Sequence, residues 1–212
     1  MSFVSTRPRR TQAERSAATQ AALLDATVEC LVEAGYSATT TTEVTRRAGV
    51  SLGALLHHFP TKADLLAAAV AHVLELRQAE FRKAMSDIDM GADRLDAAID
   101  QLWAAESGPA FVAWVELWIA ARTDPDLAVA VRALGLEFDR SSREIFRELF
   151  PAEEYPDADF LEQGMRFAFS LMDGVALRGL VLRPVDATPV EMLKRIARQF
   201  IAQPDDARGE IT

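Results

Sequence analysis

Apolar residues recur at intervals of three and four along almost the whole chain, and apolar–polar alternation never persists for the length of a strand. The pattern predicts an all-α protein of about nine helices, without a repeat at solenoid spacing. Helix 1 is expected from about Thr11 to Ala34, with Leu24, Val28 and Leu31 as one stripe and Gly35 as its stop. Thr40 and Glu43 have the spacing of a capping box for helix 2, which Gly49 ends. Ser51 caps helix 3, which closes before Pro60, and Thr61 caps a long helix 4 that reaches about Ser86. Helix 4 carries Leu65, Leu66, Ala69, Val70, Val73, Leu74 and Phe81 on its apolar face.

Further along, helix 5 is expected after Gly91, near Ala92 to Glu106. Pro109 sits at the first turn of helix 6, and Asp124-Pro125 opens helix 7, which runs to about Phe150. An acidic loop with two prolines, Pro151 to Asp157, leads to helix 8, ending near Leu182. Thr188 to Glu191 has a second capping-box spacing and opens helix 9, which ends near Gln203. The chain thus divides into a flexible basic arm (1–10), a three-helix unit (11–60), a helical body (61–203) and a flexible polar tail (204–212).

Two short capped helices hinged at Gly49, behind a longer first helix, form a helix-turn-helix arrangement. The second helix of such a pair presents its exposed N-terminal half to base edges. Leu55 and Phe59, four apart, form the buried side of helix 3, so Ser51, Leu52, Gly53, Ala54, Leu56, His57 and His58 are left as candidate DNA contacts. Glycine inside a helix costs about 0.5–1 kcal/mol against alanine. Gly53 therefore marks close backbone approach, either to a major groove or to a packed helix. Thr40, Thr41 and Thr42 offer hydroxyls and free amides at a helix N-terminus, where phosphate is attracted, and Lys62 stands at the start of helix 4 within reach of the same backbone. Arg9 and Arg10, with Arg7 and Pro8, form either a minor-groove arm or a solvated terminus.

Charge changes this picture in one respect. The chain of 212 residues carries a net −9, which is unfavourable for a DNA binder taken as a whole. Its first 62 residues, however, hold seven Lys/Arg against five Asp/Glu, a net of +2, leaving −11 for the rest. That asymmetry is the one expected if one end faces phosphate and the other does not. The single cysteine, Cys30, lies at helical spacing among apolar residues and reads as a core thiol. A basic-then-apolar leader and a long uncharged apolar run are both lacking, so a cytoplasmic protein is expected. Enzyme chemistry finds no nucleophile–base pair, glycine-rich phosphate loop or metal spacing. Adjacent His57 and His58 diverge by about 100° on a helix and do not chelate one ion, so no metal and no cofactor is expected.

The run from Ala22-Leu23-Leu24-Asp25-Ala26 through Gly35-Tyr36, Thr39-Thr40, Ala48-Gly49-Val50-Ser51, His58-Phe59 and Lys62-Ala63-Asp64-Leu65-Leu66 resembles the N-terminal domain of TetR-family transcriptional regulators. Trp114 to Pro125 and Met172 to Leu180 resemble that family's body more loosely. The resemblance implies that Thr40 and Lys62 contact phosphate and that Ser51 to Ala54 and His57 stand at the groove. It departs at Leu56, where the family usually has a tyrosine on the DNA backbone, and at Thr45, usually an alanine.

The resemblance also implies a small-molecule cavity in the body that shifts two DNA heads. Phe81, Met85, Trp103, Phe111, Trp114, Trp118 and Phe138 either line that cavity or make up solid core. Helices 8 and 9 carry more apolar residues than one buried stripe needs. Phe167, Leu171, Met172, Val175, Leu180, Leu193, Ile196 and Phe200 are the candidate faces of a C2 homodimer. The function expected is a ligand-responsive repressor that binds a palindromic operator and answers to an apolar or aromatic effector. The alternative is a helical ligand-binding or interaction protein whose DNA head has weakened; salt dependence separates the two.

Overall fold

Short polar side chains set where the helices begin. A computed structural model of the chain describes residues 11–86, 88, 94–151, 153 and 157–202. Among these residues run α1 (Gln12–Ala38), α2 (Thr41–Ala48), α3 (Leu52–His58), α4 (Lys62–Ser86), α5 (Arg94–Glu106), α6 (Pro109–Ala121), α7 (Pro125–Leu149), α8 (Ala158–Gly179) and α9 (Thr188–Ala202). The all-α expectation holds. The arm with Arg9 and Arg10, the tail from 203 and the side chains of Met85 and Phe200 lie outside the described residues.

Several starts and stops follow the sequence signals. Ser51 Oγ accepts the Ala54 amide at 3.2 Å, and Asp124 accepts the Leu127 amide at 3.0 Å ahead of Pro125. Gly49 takes the left-handed conformation (φ 67°, ψ 29°) that lets α2 stop and the chain turn into α3.

Others differ. Thr40 accepts the Glu43 amide at 3.2 Å, but the Glu43 carboxylate turns to Arg46 and Arg47, so only half of that capping box forms. At the other expected box, α9 begins at Thr188 itself: Asp186 takes the Thr188 amide at 3.0 Å, and Glu191 pairs with Lys194. Nearby basic side chains outcompeted a neutral amide for both carboxylates. Full boxes close instead at Thr11–Glu14 and Thr61–Asp64. The last helical turn of α8 ends at Gly179, short of the expected Leu182.

Gly35 also departs from expectation. It breaks α1 (φ 78°, ψ 174°), yet one more turn follows before Thr39. The break frees the Tyr36 amide from its place in the helix ladder, and the Glu116 carboxylate on α6 accepts it at 2.8 Å. The positive φ favours glycine here, and a Cβ would stand 3.1 Å from Glu116 Oε2, close enough to press on that carboxylate.

Burial organises these helices into connected cores. The head closes around Leu23, Leu24, Cys30, Val44, Leu55 and Phe59, with Leu65 and Ala69 of α4 completing it. A second cluster joins α1, α4, α6 and α7 through Leu31, Leu66, Val70, Val73, Ala113, Leu117 and Val131. A third joins α5, α8 and α9 through Ile99, Ala168, Met172, Val190 and Leu193. Helix α4 thus serves both the head and the body. Cys30 is fully buried, and burial pushes its thiol upward, which fits an inert packed side chain.

Candidate DNA interface and effector cavity

The head leaves one face of α3 uncovered. Leu55 and Phe59 are buried, while Leu52 and Leu56 are 49% and 47% exposed, and Ser51, Gly53 and His57 are open as well. Ala54 and His58 are half-buried at the edges of this face. A Cβ added at Gly53 would meet only Ser51 Oγ, at 3.9 Å. Among the described residues no helix packs there, so close packing within the described protomer does not explain the glycine, and approach by something outside it remains. The exposed Leu56 offers no hydroxyl to this face.

The N-termini of α2 and α4 flank this face in sequence. Thr40 and Thr42 are exposed and Thr41 is half-buried. Lys62 lies half-buried with its Nζ 4.7 Å above the Tyr36 ring. Electrostatics hold α2 firmly: Arg46 and Arg47 reach Glu43 at 2.6 and 2.7 Å, and Arg47 reaches Glu33 of α1 at 2.6 Å. Hydrogen bonds from Arg46 and then Arg47 pull the Glu43 carboxyl down to about 2. Arg46 and Arg47 are therefore already partnered with acids. His57 and His58 face each other edge-on at 5.4 Å, and among the described residues no group of three His, Cys, Asp or Glu is placed to hold a metal ion.

The joint between head and body is a polar clamp. Besides the Tyr36 amide held by Glu116, the Tyr36 hydroxyl donates to Asp124 at 3.1 Å, at the N-cap of α7. The Leu127 amide and the Tyr36 hydroxyl hold the Asp124 carboxyl low. Burial first, and Asp124 second, push the Tyr36 phenol up. Neither Glu116 nor Asp124 stands out in the sequence as a partner of residues some eighty positions earlier.

Among the described residues, two sizeable cavities of the body concern the candidate effector residues. One, of about 860 Å³, is walled by Trp114 and Trp118 of α6, Phe138 of α7 and Phe169 of α8. The Trp114 and Trp118 rings stand 6.1 Å apart, and Phe138 meets Phe169 edge-on at 5.9 Å. Arg77 of α4, Glu106 of α5 and Asp173 of α8 also line it. Arg77 and Glu106 are 3% and 2% exposed and bonded to each other through Nη2 and Oε1. Burial, opposed by Arg77 and reinforced by neighbouring Asp173, pushes the Glu106 carboxyl up to about 7. The Arg77 Nε is buried and has no hydrogen-bond partner, an omission that costs about 1–3 kcal/mol.

The second cavity, of about 360 Å³, is almost wholly apolar and includes Phe81, Ile99, Phe146, Phe167 and Ile196. Of the candidate pocket residues, Trp114, Trp118 and Phe138 come together at the larger cavity and Phe81 at the smaller. Trp103 and Phe111 line neither: Phe111 is buried, and Trp103 packs on the α5–α8–α9 cluster.

The candidate dimer residues separate similarly. Phe167 and Ile196 are exposed; Leu171, Val175 and Leu180 are half-buried. Met172 and Leu193 are buried against Ile99 and Val190 inside the protomer, so they belong to its core and not to an open face. Val181, Leu182 and Met192 are further open apolar positions that sequence reasoning left out of this set, and Leu177 on α8 is open as well. Gly164 and Gly174 on α8 have nothing within 4 Å of an added Cβ, which leaves the helix backbone accessible there.

A helix-turn-helix head on an all-helical body defines a class of DNA-binding regulators. Known proteins agree. Residues 23–69 match the family described as "Bacterial regulatory proteins, tetR family", and residues 91–204 match "BetI-type transcriptional repressor, C-terminal". The chain is 32% identical to an HTH-type transcriptional regulator of Mycobacterium bovis, over 82% of this chain and 90% of that one. It is 29% identical to the transcriptional regulator BetI of Ectopseudomonas mendocina, over 84% and 89%. Among solved structures, a transcriptional regulator of Rhodococcus sp. Rha1 superposes with a TM-score of 0.66 at 25% identity, covering 86% of this chain and 95% of that one. A regulator of Saccharomonospora viridis, solved in complex with choline, shares the fold with a TM-score of 0.62 at 16% identity, over 87% and 96%. The chain belongs to the TetR family and is a DNA-binding transcriptional regulator.

Proposed function

We propose that this regulator is a repressor that binds a palindromic operator as a C2 dimer and releases it when a small molecule fills the larger cavity. The observation that carries this reading is the position of α6. Trp114 and Trp118 on that helix wall the cavity, while Glu116 holds the break in α1 at Tyr36. A ligand that displaces α6 therefore acts on the helix that carries the head. Because the state with ligand and the state with DNA compete, the ligand shifts the equilibrium by its difference in affinity for the two.

In this reading Ser51, Leu52, Gly53, Ala54 and His57 face base edges, with Leu56 and His58 beside them. Thr40, Thr41, Thr42 and Lys62 position the head on phosphate, and Arg9 and Arg10 add a basic arm. Phe167, Leu177, Val181 and Ile196 supply the apolar part of the dimer face. The protein works in the cytoplasm, by binding and not by catalysis. Among the described residues no helix is long and apolar enough to cross a membrane.

One observation favours a second reading, a binding protein with a weakened head: Arg46 and Arg47 are both tied to acids, and Leu56 lacks a hydroxyl. Fluorescence anisotropy on the DNA upstream of the chain's own gene, with sedimentation equilibrium in parallel, tests the choice. A dimer that binds that DNA and loses affinity steeply with salt supports the repressor. A monomer at micromolar concentration, or salt-insensitive weak binding, contradicts it.

A further inference from the structure

The larger cavity differs in charge from the rest of the body. Five arginines (Arg77, Arg122, Arg132, Arg143 and Arg166) line it against three acids (Glu106, Asp139 and Asp173). This basic lining sits in the part of the chain that carries a net −11. Arg166 is paired with Glu162 at 3.2 Å. Among the described residues, Arg122, Arg132 and Arg143 are in no ion pair, so their charge is free at the cavity mouth.

Deeper in, Arg77 shows what the site lacks. Its guanidinium lies 5.0 Å over the Phe138 ring, and one Nη donates to Glu106. Its Nε donates to nothing while 97% of the residue is shielded from solvent, with 3% exposed. An N–H can be satisfied only by an acceptor. A cation entering the same space meets a guanidinium that already occupies the face of Phe138 and has already claimed Glu106. It also meets a lining in which positive groups outnumber negative ones.

We infer that the larger cavity takes an amphipathic organic anion: an oxyanion head, such as a carboxylate, drawn by the arginine surplus to the wall that Arg77 lines, on an aromatic or apolar body held between Trp114, Trp118 and Phe169. The volume of about 860 Å³ suits a body of drug-like size and not a two-carbon acid. Arg122, Arg132 and Arg143 raise the local concentration of anions at the mouth and speed their entry. This assignment rests on the reading of this cavity as the effector site and adds the charge class of the effector.

Three probes that share one ring system and differ in charge test it: 2-naphthoate, 2-naphthamide and 2-naphthyltrimethylammonium, measured by equilibrium dialysis against the full chain. The acid is expected to bind at least about tenfold more tightly than the ammonium, with the amide between them. Arg77→Met should abolish that order; circular dichroism first establishes that the variant is helical. Should Arg77→Met fail to fold, the double variant Arg132→Gln/Arg143→Gln, which alters only the cavity mouth, should weaken naphthoate alone and reduce its salt dependence. Equal affinity for all three probes, or preference for the ammonium, overturns the anion assignment while leaving the effector cavity intact. Binding of none of them at millimolar concentration overturns the assignment and the effector-cavity reading together.

Discussion

Gly53→Ala separates what the fold needs from what the interface needs. In the free protein the new methyl group would stand 3.9 Å from Ser51 Oγ, an ordinary contact, with nothing else nearby. Gly53 has no positive φ, so alanine fits its backbone. The only folding consequence is the removal of glycine's entropy cost in the first turn of α3, a gain of about 0.5–1 kcal/mol. For a chain of this size that raises Tm by roughly 1–4 °C. On DNA the same methyl falls between α3 and the base edges. Overpacking a fitted contact costs about 1–3 kcal/mol, which is roughly a five- to 150-fold loss of operator affinity. Non-specific affinity should stay put, because no charge changes. The assay is thermal unfolding by circular dichroism, together with anisotropy on an operator selected from random duplexes and on a scrambled duplex. Operator affinity within about twofold of the parent would refute close seating of α3. A fall in Tm would refute the statement that nothing in the fold needs this glycine.

Gly49→Ala forces a Cβ into the left-handed turn at φ 67° and should cost about 1–2 kcal/mol, measured by urea unfolding. Lys62→Ala should weaken operator and scrambled DNA alike and flatten the log–log salt slope by about 0.9. Glu116→Ala leaves the Tyr36 amide without its charged acceptor. It should lower stability by about 1.5–3 kcal/mol and blunt effector-induced release more than it changes DNA affinity, as anisotropy with and without effector would show. The Glu106 carboxyl, raised to about 7, binds a proton in the folded chain that it releases in the unfolded chain between the ordinary carboxylate range and that value. Stability should therefore fall as pH rises from about 5 to 7, by up to about 1.4 kcal/mol per pH unit, and Glu106→Gln should remove that slope in chemical denaturation.

How much of this was legible beforehand depended on how local the cause was. The stop at Gly49, the cap at Ser51 and the burial of Leu55 and Phe59 follow from residues within one or two turns, and the structure has all of them. The boxes at Thr40 and Thr188 had the right spacing, but spacing does not reveal that arginine or lysine stands ready to take the glutamate. The open face of α3 was legible because Leu55 and Phe59, four apart, fix which side is buried. The body was less so. An aromatic on an amphipathic helix looks the same whether it walls a cavity, like Trp114, or fills a core, like Phe111. Nothing near Arg77 in the sequence announces Glu106 or Asp173, and nothing near Tyr36 announces Glu116, because those partners meet only when α4, α5, α6 and α8 assemble. Met172 and Leu193 had the periodicity of a dimer face, but α5 covers them within the protomer.

The central claim is that two copies of this chain each seat α3 in a major groove, on half-sites related by a two-fold axis. Methylation interference at guanine N7, an atom that lies in the major groove, tests it most directly on the DNA upstream of the chain's own gene. The expected result is two symmetric clusters of interfering guanines about one helical turn apart, or a multiple of that, lost when an effector is added. Binding that no guanine methylation disturbs, or a single unpaired cluster, would contradict the account.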